Sequence, residues 1–222
     1  MLDASFEMVR SAIEQARLLA PGAAETVHLV AVSKQQPDEK IEAALATGHC
    51  LYGENRVQEA TQRWAHRKAQ FPDLRLHLIG PLQSNKAGEA VALFDVIETV
   101  DRPKIAAALA KEMAAQNRHL PVFVQVNTGA EEQKAGIAPE ALVAFVAQCR
   151  SEWGLDVQGL MCIPPISEEP AMHFALLKKL AKASDVPHLS MGMSADFEEA
   201  IAFGADYVRV GSALFGERLP RK

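Results

Sequence analysis

The sequence predicts an α/β protein, a single (β/α)8 barrel of the TIM type with an extra N-terminal helix. Three observations predict it. Eight short apolar runs, mostly rich in β-branched residues, alternate with longer amphipathic segments, which implies parallel strands joined by right-handed crossovers. The runs are nearly continuous in apolar residues, as in strands covered on both faces. The units are even in length and no Gly-rich fingerprint follows the first strand, which favours a closed barrel over an open doubly wound sheet.

Residues 2 to about 20 come first. Leu2, Phe6, Val9, Ile13, Ala16 and Leu19 recur near helical spacing, and Pro21-Gly22 stops the helix. The segment precedes the first strand, so it packs on the outside or end of the body. Strand one is residues 28–34, and its helix begins at Pro37-Asp38 and closes at Gly48. Strand two is Cys50-Leu51-Tyr52, running into Gly53-Glu54-Asn55, with a helix from about Val57 to Gln70. Strand three, 74–79, ends at Gly80, and a helix follows over about 85–94. Strand four is 96–100, with Asp101 as the expected N-cap and Pro103 in the first turn of a helix reaching Asn117. Strand five is 121–127, and Pro139 opens a helix to about Trp153. Strand six, 157–163, is closed by Pro164-Pro165, and its helix covers about 170–184. Strand seven is 188–193, followed by a short helix opened by Ser194 or Asp196 and ended by Gly204. Strand eight is 206–210, leading into Gly211-Ser212.

No linker or composition shift divides the 222 residues, so the chain reads as one domain over 1–222, with a helix at 1–20 and the barrel at 28–216. Hydrophobic residues make up 49%, enough for a sizeable core. The net charge is -5 and the basic residues are scattered, which argues against a nucleic-acid partner. No apolar run is long enough to span a bilayer, and the acidic start lacks the basic region of a secretory signal. Three widely spaced cysteines, Cys50, Cys149 and Cys162, read as reduced thiols in a cytoplasmic protein.

In a barrel the C-terminal strand ends converge on one pocket. Here they carry Lys34, Asn55, Gly80, Asn127, Ile163, Ser194 and Gly211-Ser212. Lys34 ends the apolar stretch His28 to Ser33. It is either an amine placed for Schiff-base chemistry or a lysine whose head snorkels to water. The ends of strands seven and eight are the usual phosphate site of such barrels. Gly211 would admit an anion to the main-chain N–H groups, and Ser194 and Ser212 offer hydroxyl donors; alternatively the serines cap helices and the glycine is a turn. Arg209 lies inside an apolar strand, where a guanidinium requires either an acidic partner or a ligand. A lysine, a phosphate cradle and an arginine are together what pyridoxal phosphate requires. Arg209 at the ring nitrogen would keep it unprotonated and the ring a poor electron sink, which suits carriage or a restricted chemistry such as racemisation.

Other residues read more plainly. His77 is a satisfied core histidine rather than a base, Lys134 a solvated loop charge, and Met161, Cys162, Met191 and Met193 strand packing. Glu98 and Asp95 form no paired-carboxylate arrangement that spacing reveals.

The chain resembles the pyridoxal phosphate homeostasis proteins, single-domain relatives of the barrel half of alanine racemase. The matching pieces are Ala31-Val32-Ser33-Lys34, Gly53 to Glu59, His77 to Lys86, Val126-Asn127 with Lys134-Ala135-Gly136, Gly159-Leu160-Met161, and the strand-seven and strand-eight segments within 189–216. Leu78 stands where an aromatic is common and Ser212 where threonine is common. The resemblance implies that Lys34 carries pyridoxal 5'-phosphate as a Schiff base, that Arg209 faces the pyridine nitrogen, that Ser194, Gly211 and Ser212 hold the phosphate, and that Asn55 lines the site. It implies a cofactor-binding protein of intracellular vitamin B6 homeostasis without substantial turnover, its partners being apo-enzymes that receive the cofactor. The related racemases take a tyrosine acid/base from an additional β domain. This chain stops shortly after strand eight, so the expectation is that this domain is lacking and the protein is a monomer. The alternatives are an amino-acid racemase or other pyridoxal-phosphate enzyme working with one base, and a class I aldolase.

Overall fold

A computed structural model of the chain describes residues 2–216. Eight strands, β1 (His28–Val32), β2 (Leu51–Glu54), β3 (Arg75–Leu78), β4 (Val96–Val100), β5 (Val122–Val126), β6 (Val157–Cys162), β7 (His188–Met193) and β8 (Tyr207–Val210), pair in chain order, every neighbour parallel. β8 returns to β1 through Val30↔Arg209 and Ala31↔Val210, closing the barrel. The outer ring is α2 (Asp38–Ala46), α3 (Val57–Gln70), α4 (Ala87–Leu93), α5 (Pro103–Gln116), α6 (Leu142–Ser151), α7 (Pro170–Ala183), α8 (Phe197–Ala202) and the short α9 (Ser212–Phe215). The extra helix, α1 (Leu2–Leu19), precedes them.

The eight units and the closure are those the apolar runs predict. β4 and β7 have the expected bounds, whereas β1, β3, β5, β6 and β8 are shorter than their apolar runs. β1 stops at Val32, so Lys34 lies in the turn beyond it. β2 runs later than its apolar residues suggest: Gly53 and Glu54 pair with His77 and Leu78 and belong to the strand. Asp101 does not cap α5; Arg102 occupies the cap position, and the Asp101 carboxylate binds that arginine's guanidinium instead. Pro103 opens α5, and Asn117 closes it in the left-handed region at φ 50°. The helices expected from Asn85 and Pro139 begin as 3-10 turns, Ser84–Lys86 and Pro139–Ala141.

Alternate strand residues divide into two layers. Leu29, Tyr52, Leu76, Val124 and Val208 face outward and share one core with helix residues such as Ile41, Trp64, Leu109, Phe174 and Ile201. The intervening residues face the axis, where His77, Glu98, Ser190 and Arg209 meet from four strands. α1 packs on α8, α9 and α2. Phe6, fully buried, meets the Phe215 ring edge-on at 6.1 Å. Burying Phe6, Val9 and Ile13 contributes roughly 1.5–3 kcal/mol each, enough to dock α1 across the outside of the β8–β1 seam.

Among the described residues no helix is long and apolar enough to cross a membrane. Cys149 and Cys162 are buried, and burial pushes both thiols up to about 12, whereas Cys50 is exposed. Iodoacetamide at neutral pH is therefore expected to label Cys50 alone in the folded protein, with all three thiols reacting in denaturant; peptide mass mapping reads the difference.

Candidate functional site

The barrel rim at the C-terminal strand ends is built from short segments that the strand register places side by side. β1 lies between β8 and β2, with Val32 opposite Gly53 and Ala31 opposite Val210. One or two residues further on, the chain reaches Lys34 on β1, Asn55 on β2 and Gly211-Ser212 on β8. Ser194, just past β7, joins them. Its Oγ accepts hydrogen bonds from the main-chain N–H of Gly211, at 3.2 Å, and of Ala213, at 3.4 Å. Four consecutive strand ends, β7-β8-β1-β2, thus bring residue Lys34 and this donor cluster onto one arc of the rim.

Two glycines make the arc possible. A Cβ on Gly80 would stand 2.3 Å from the Asn55 carbonyl oxygen and 2.6 Å from its Cα, so the exit of β3 passes directly against Asn55. Gly192 has φ 90°, and its Cβ would lie 2.6 Å from that of Ala200; only glycine lets β7 turn over α8 and present Ser194. Gly211 is different. Its φ is -121°, which any residue adopts, and its Cβ would stand 3.4 Å from Val32 on β1. The missing side chain there borders the last residue of β1, two positions before Lys34.

Lys34 and Asn55 are half-buried. The Asn55 Oδ1 is buried and has no hydrogen-bond partner among the described residues. Asn55 also lines a cleft of ≈ 670 Å³ at the ends of β2 and β3, which it shares with Arg56, Gln83, Lys86 and Arg102. Ser212 is exposed, so Ser194 is the hydroxyl that meets the N–H groups. Ser194 caps no helix of its own unit; it serves α9, in the next one. Asp196 sits at the cap position of α8, but its carboxylate accepts from the Met193 N–H at 2.5 Å.

Below the rim, Arg209 is 4% exposed. Its Nη1 donates to Ser190 Oγ at 2.7 Å and its Nη2 to the Cys162 carbonyl at 2.8 Å. Ser190 Oγ donates onward to Glu98 Oε2 at 2.5 Å, and Glu98 Oε1 accepts from His77 Nδ1 at 2.6 Å. Complete burial pushes the Glu98 carboxyl up, but the His77 hydrogen bond, the His77 and Arg209 charges and the Ser190 hydrogen bond outweigh it and hold the group below its usual 4.5. The carboxylate is acceptor-only, so His77 carries its hydrogen on Nδ1. The acidic partner that the arginine requires is therefore Glu98, reached through one hydroxyl. In the sequence Glu98 shows only the lack of a paired carboxylate and Ser190 takes no role of its own; the signal of both is an acid and a hydroxyl inside largely apolar strands.

The remaining polar residues are structural. His77 is a satisfied core histidine. Lys134 lies on a solvated loop, paired with Glu131 at 2.5 Å. Asn127 braces its own loop, its Nδ2 donating to the Glu131 carbonyl at 2.9 Å. Tyr207 stacks on His28 at 5.0 Å, at the far end of the strands, and Tyr52 packs outward against Trp64 at 4.6 Å. Neither phenol stands at the rim.

This barrel, with a lysine past its first strand and a donor cluster past its last two, defines a class: the sequence matches the family described as alanine racemase, N-terminal domain, over residues 9–219. Within that class the chain belongs to the pyridoxal phosphate homeostasis proteins. It is 41% identical to the member from Pseudomonas aeruginosa over 217 residues, 95% of this chain and 93% of that protein. With the member from Vibrio cholerae it shares 38% identity over 224 residues, 96% and 95% of the two chains. PipY of Synechococcus elongatus, whose structure is known both without PLP and with PLP bound, is 34% identical. It superposes with TM-scores of 0.85 and 0.83, covering 97% of this chain and all of PipY.

Proposed function

We propose that the chain binds pyridoxal 5'-phosphate as a Schiff base on Lys34, stores it and passes it to apo-enzymes, without substantial turnover of its own. The observation that carries this reading is the adjacency of Lys34, just past β1, to the Ser194–Gly211–Ala213 cluster on the neighbouring strand ends. An amine and an anion-binding set on one arc fit a small aldehyde with a phosphate tail. In this reading Ser194, Gly211 and Ser212 would hold the phosphate, and Arg209 would stand on the side of the pyridine nitrogen. The Oδ1 of Asn55, without a partner among the described residues, would accept a hydrogen bond from the cofactor, removing the cost, about 1–3 kcal/mol, of a buried orphan acceptor. When bound, the cofactor supplies an electrophilic carbonyl and, with an arginine at its nitrogen, a ring little suited to accept electrons.

Carriage rather than catalysis is supported by where the phenols lie. A two-base racemisation needs a second acid/base at the rim, and Tyr52 and Tyr207 are directed elsewhere. The domain, residues 1–222, acts as one binding unit, in the cytoplasm, as a monomer.

The test is transfer. Purified protein loaded with pyridoxal phosphate is expected to be yellow and to restore activity to an apo-enzyme that depends on this cofactor. Rapid deuterium uptake at the α-carbon of an amino acid in heavy water, abolished by Lys34→Ala, would show an enzyme instead. The phosphate assignment has its own test. Ser194→Ala should weaken pyridoxal phosphate by about tenfold, the worth of one charge-assisted hydrogen bond, while leaving affinity for unphosphorylated pyridoxal unchanged in parallel absorbance titrations.

A further inference from the structure

Behind the Lys34 turn, on the side facing α3, lies a buried polar cluster that the proposed site does not use. Residues 33–36 form a turn closed by the Gln36 N–H on the Ser33 carbonyl at 3.2 Å. Its third residue, Gln35, has φ 61°, a position that favours glycine and costs a side-chain-bearing residue about 1–3 kcal/mol unless its surroundings fix it. One guanidinium brackets this turn. Arg63 Nη1 donates to the Ser33 carbonyl at 2.9 Å, and Nη2 donates to the Gln36 carbonyl, also at 2.9 Å. The same Nη1 reaches Glu54 Oε1 at 2.8 Å. Glu54 in turn accepts from Ser33 Oγ at 2.8 Å and from Trp64 Nε1 at 3.0 Å.

Ser33, Glu54 and Trp64 are fully buried, and Arg63 is 15% exposed, so the cluster is largely shielded from water. The two carbonyls it grips flank Lys34-Gln35 on either side. Ser33 turns outward to Glu54, and Lys34 follows it, half-buried, in the turn at the barrel rim.

We infer that Arg63 and Glu54 are positioning residues for Lys34: from the back of the barrel wall they pin both ends of the turn that aims its amine. Glu54 is fully buried, and Arg63 lines a groove on the outer side of the turn with Gln35, Asp38 and Glu59. The inference rests on the proposed attachment of pyridoxal phosphate to Lys34 and adds the device that keeps the amine in reach of the aldehyde while the phosphate sits between β7 and β8. A misplacement of about 1 Å at a reacting group costs up to 10²-fold, so loosening the turn should be felt at the amine before it is felt by the fold.

The experiment compares two ligands on each variant. Pyridoxal 5'-phosphate needs the amine; pyridoxine 5'-phosphate has the same ring and phosphate but an alcohol in place of the aldehyde. Arg63→Met keeps most of the stem and removes the bracket. It should weaken pyridoxal phosphate by about tenfold, with slower growth of the Schiff-base absorbance, and leave pyridoxine phosphate within about twofold of wild type. Arg63→Lys, able to reach fewer acceptors, should fall between, and Glu54→Gln, which leaves the bracket but weakens its anchor, should show the same ligand-selective loss. The inference is overturned if folded variants bind both ligands as wild type does, or if both affinities fall together, as a general loosening would cause. Should Arg63→Met fail to fold, the Arg63→Lys and Glu54→Gln pair decides on the same criterion. Failure of wild type itself to form the Schiff base is a distinct result; it removes the attachment to Lys34 rather than the clamp.

Discussion

Lys34→Ala is expected to give a folded, colourless protein whose affinity for pyridoxal phosphate is lower by about 100-fold or more, the equivalent of about 3 kcal/mol. The size of the effect follows from what is removed. The covalent link is lost entirely, and only the Ser194–Gly211–Ala213 contacts and ring packing remain. The fold should survive, because Lys34 lies beyond the end of β1, in a turn whose flanking carbonyls Arg63 holds. Denaturation midpoints of the apo-proteins should therefore agree while the absorbance titrations diverge. A variant that stays yellow with wild-type affinity would move the attachment to another amine, and Lys134 would be the first to examine.

The second large effect belongs to Arg209, and it appears in stability as well as in binding. Arg209→Met removes a buried cation from a chain of contacts ending on a fully buried carboxylate, Glu98. Loss of one member of such a network costs about 3–5 kcal/mol, because the remaining charge stays buried with less to compensate it. The pH dependence has a definite sign. The folded-state pKa of Glu98 is lowered, so its contribution to stability is present above the unfolded value of about 4.5 and is lost as pH falls through the folded value. The gap between wild type and Arg209→Met should be widest near neutral pH and close as pH falls through the lowered folded-state value, where the carboxylate takes up a proton and the arginine no longer has a charge to offset. Urea denaturation at several pH values measures it. A gap independent of pH would mean that Arg209 acts through packing alone. With cofactor present, the variant should bind more weakly and show a displaced absorption band, since the group facing the ring nitrogen has changed; an unchanged band would move Arg209 away from the ring.

Much of this architecture is legible in the sequence. Continuous apolar runs mark buried strands whatever the details of their ends, and eight of them in even units leave little besides a closed barrel. The rim is legible for the same reason: Lys34 is the first charged residue after an apolar stretch. Arg209 is legible as a residue in need of a partner. Its partner is not, since residues that meet across a barrel axis are far apart in the chain, and only strand order and register bring Glu98 and Ser190 to it. Gly53 and Glu54 look like a turn because one is flexible and the other charged, yet Ser33, Arg63 and Trp64 all donate to Glu54 Oε1 inside β2. The Arg63 bracket was hidden most completely. Two of its three acceptors are main-chain carbonyls, which every residue has and no residue type announces.

The most direct test of the central claim is to reduce the pyridoxal-phosphate-loaded protein with borohydride and map the added mass by peptide sequencing. The expected result is a single stoichiometric adduct on Lys34, with the yellow colour lost as it forms and no adduct in Lys34→Ala. Stoichiometric reduction onto any other lysine, or a loaded protein in which borohydride fixes nothing, would contradict it.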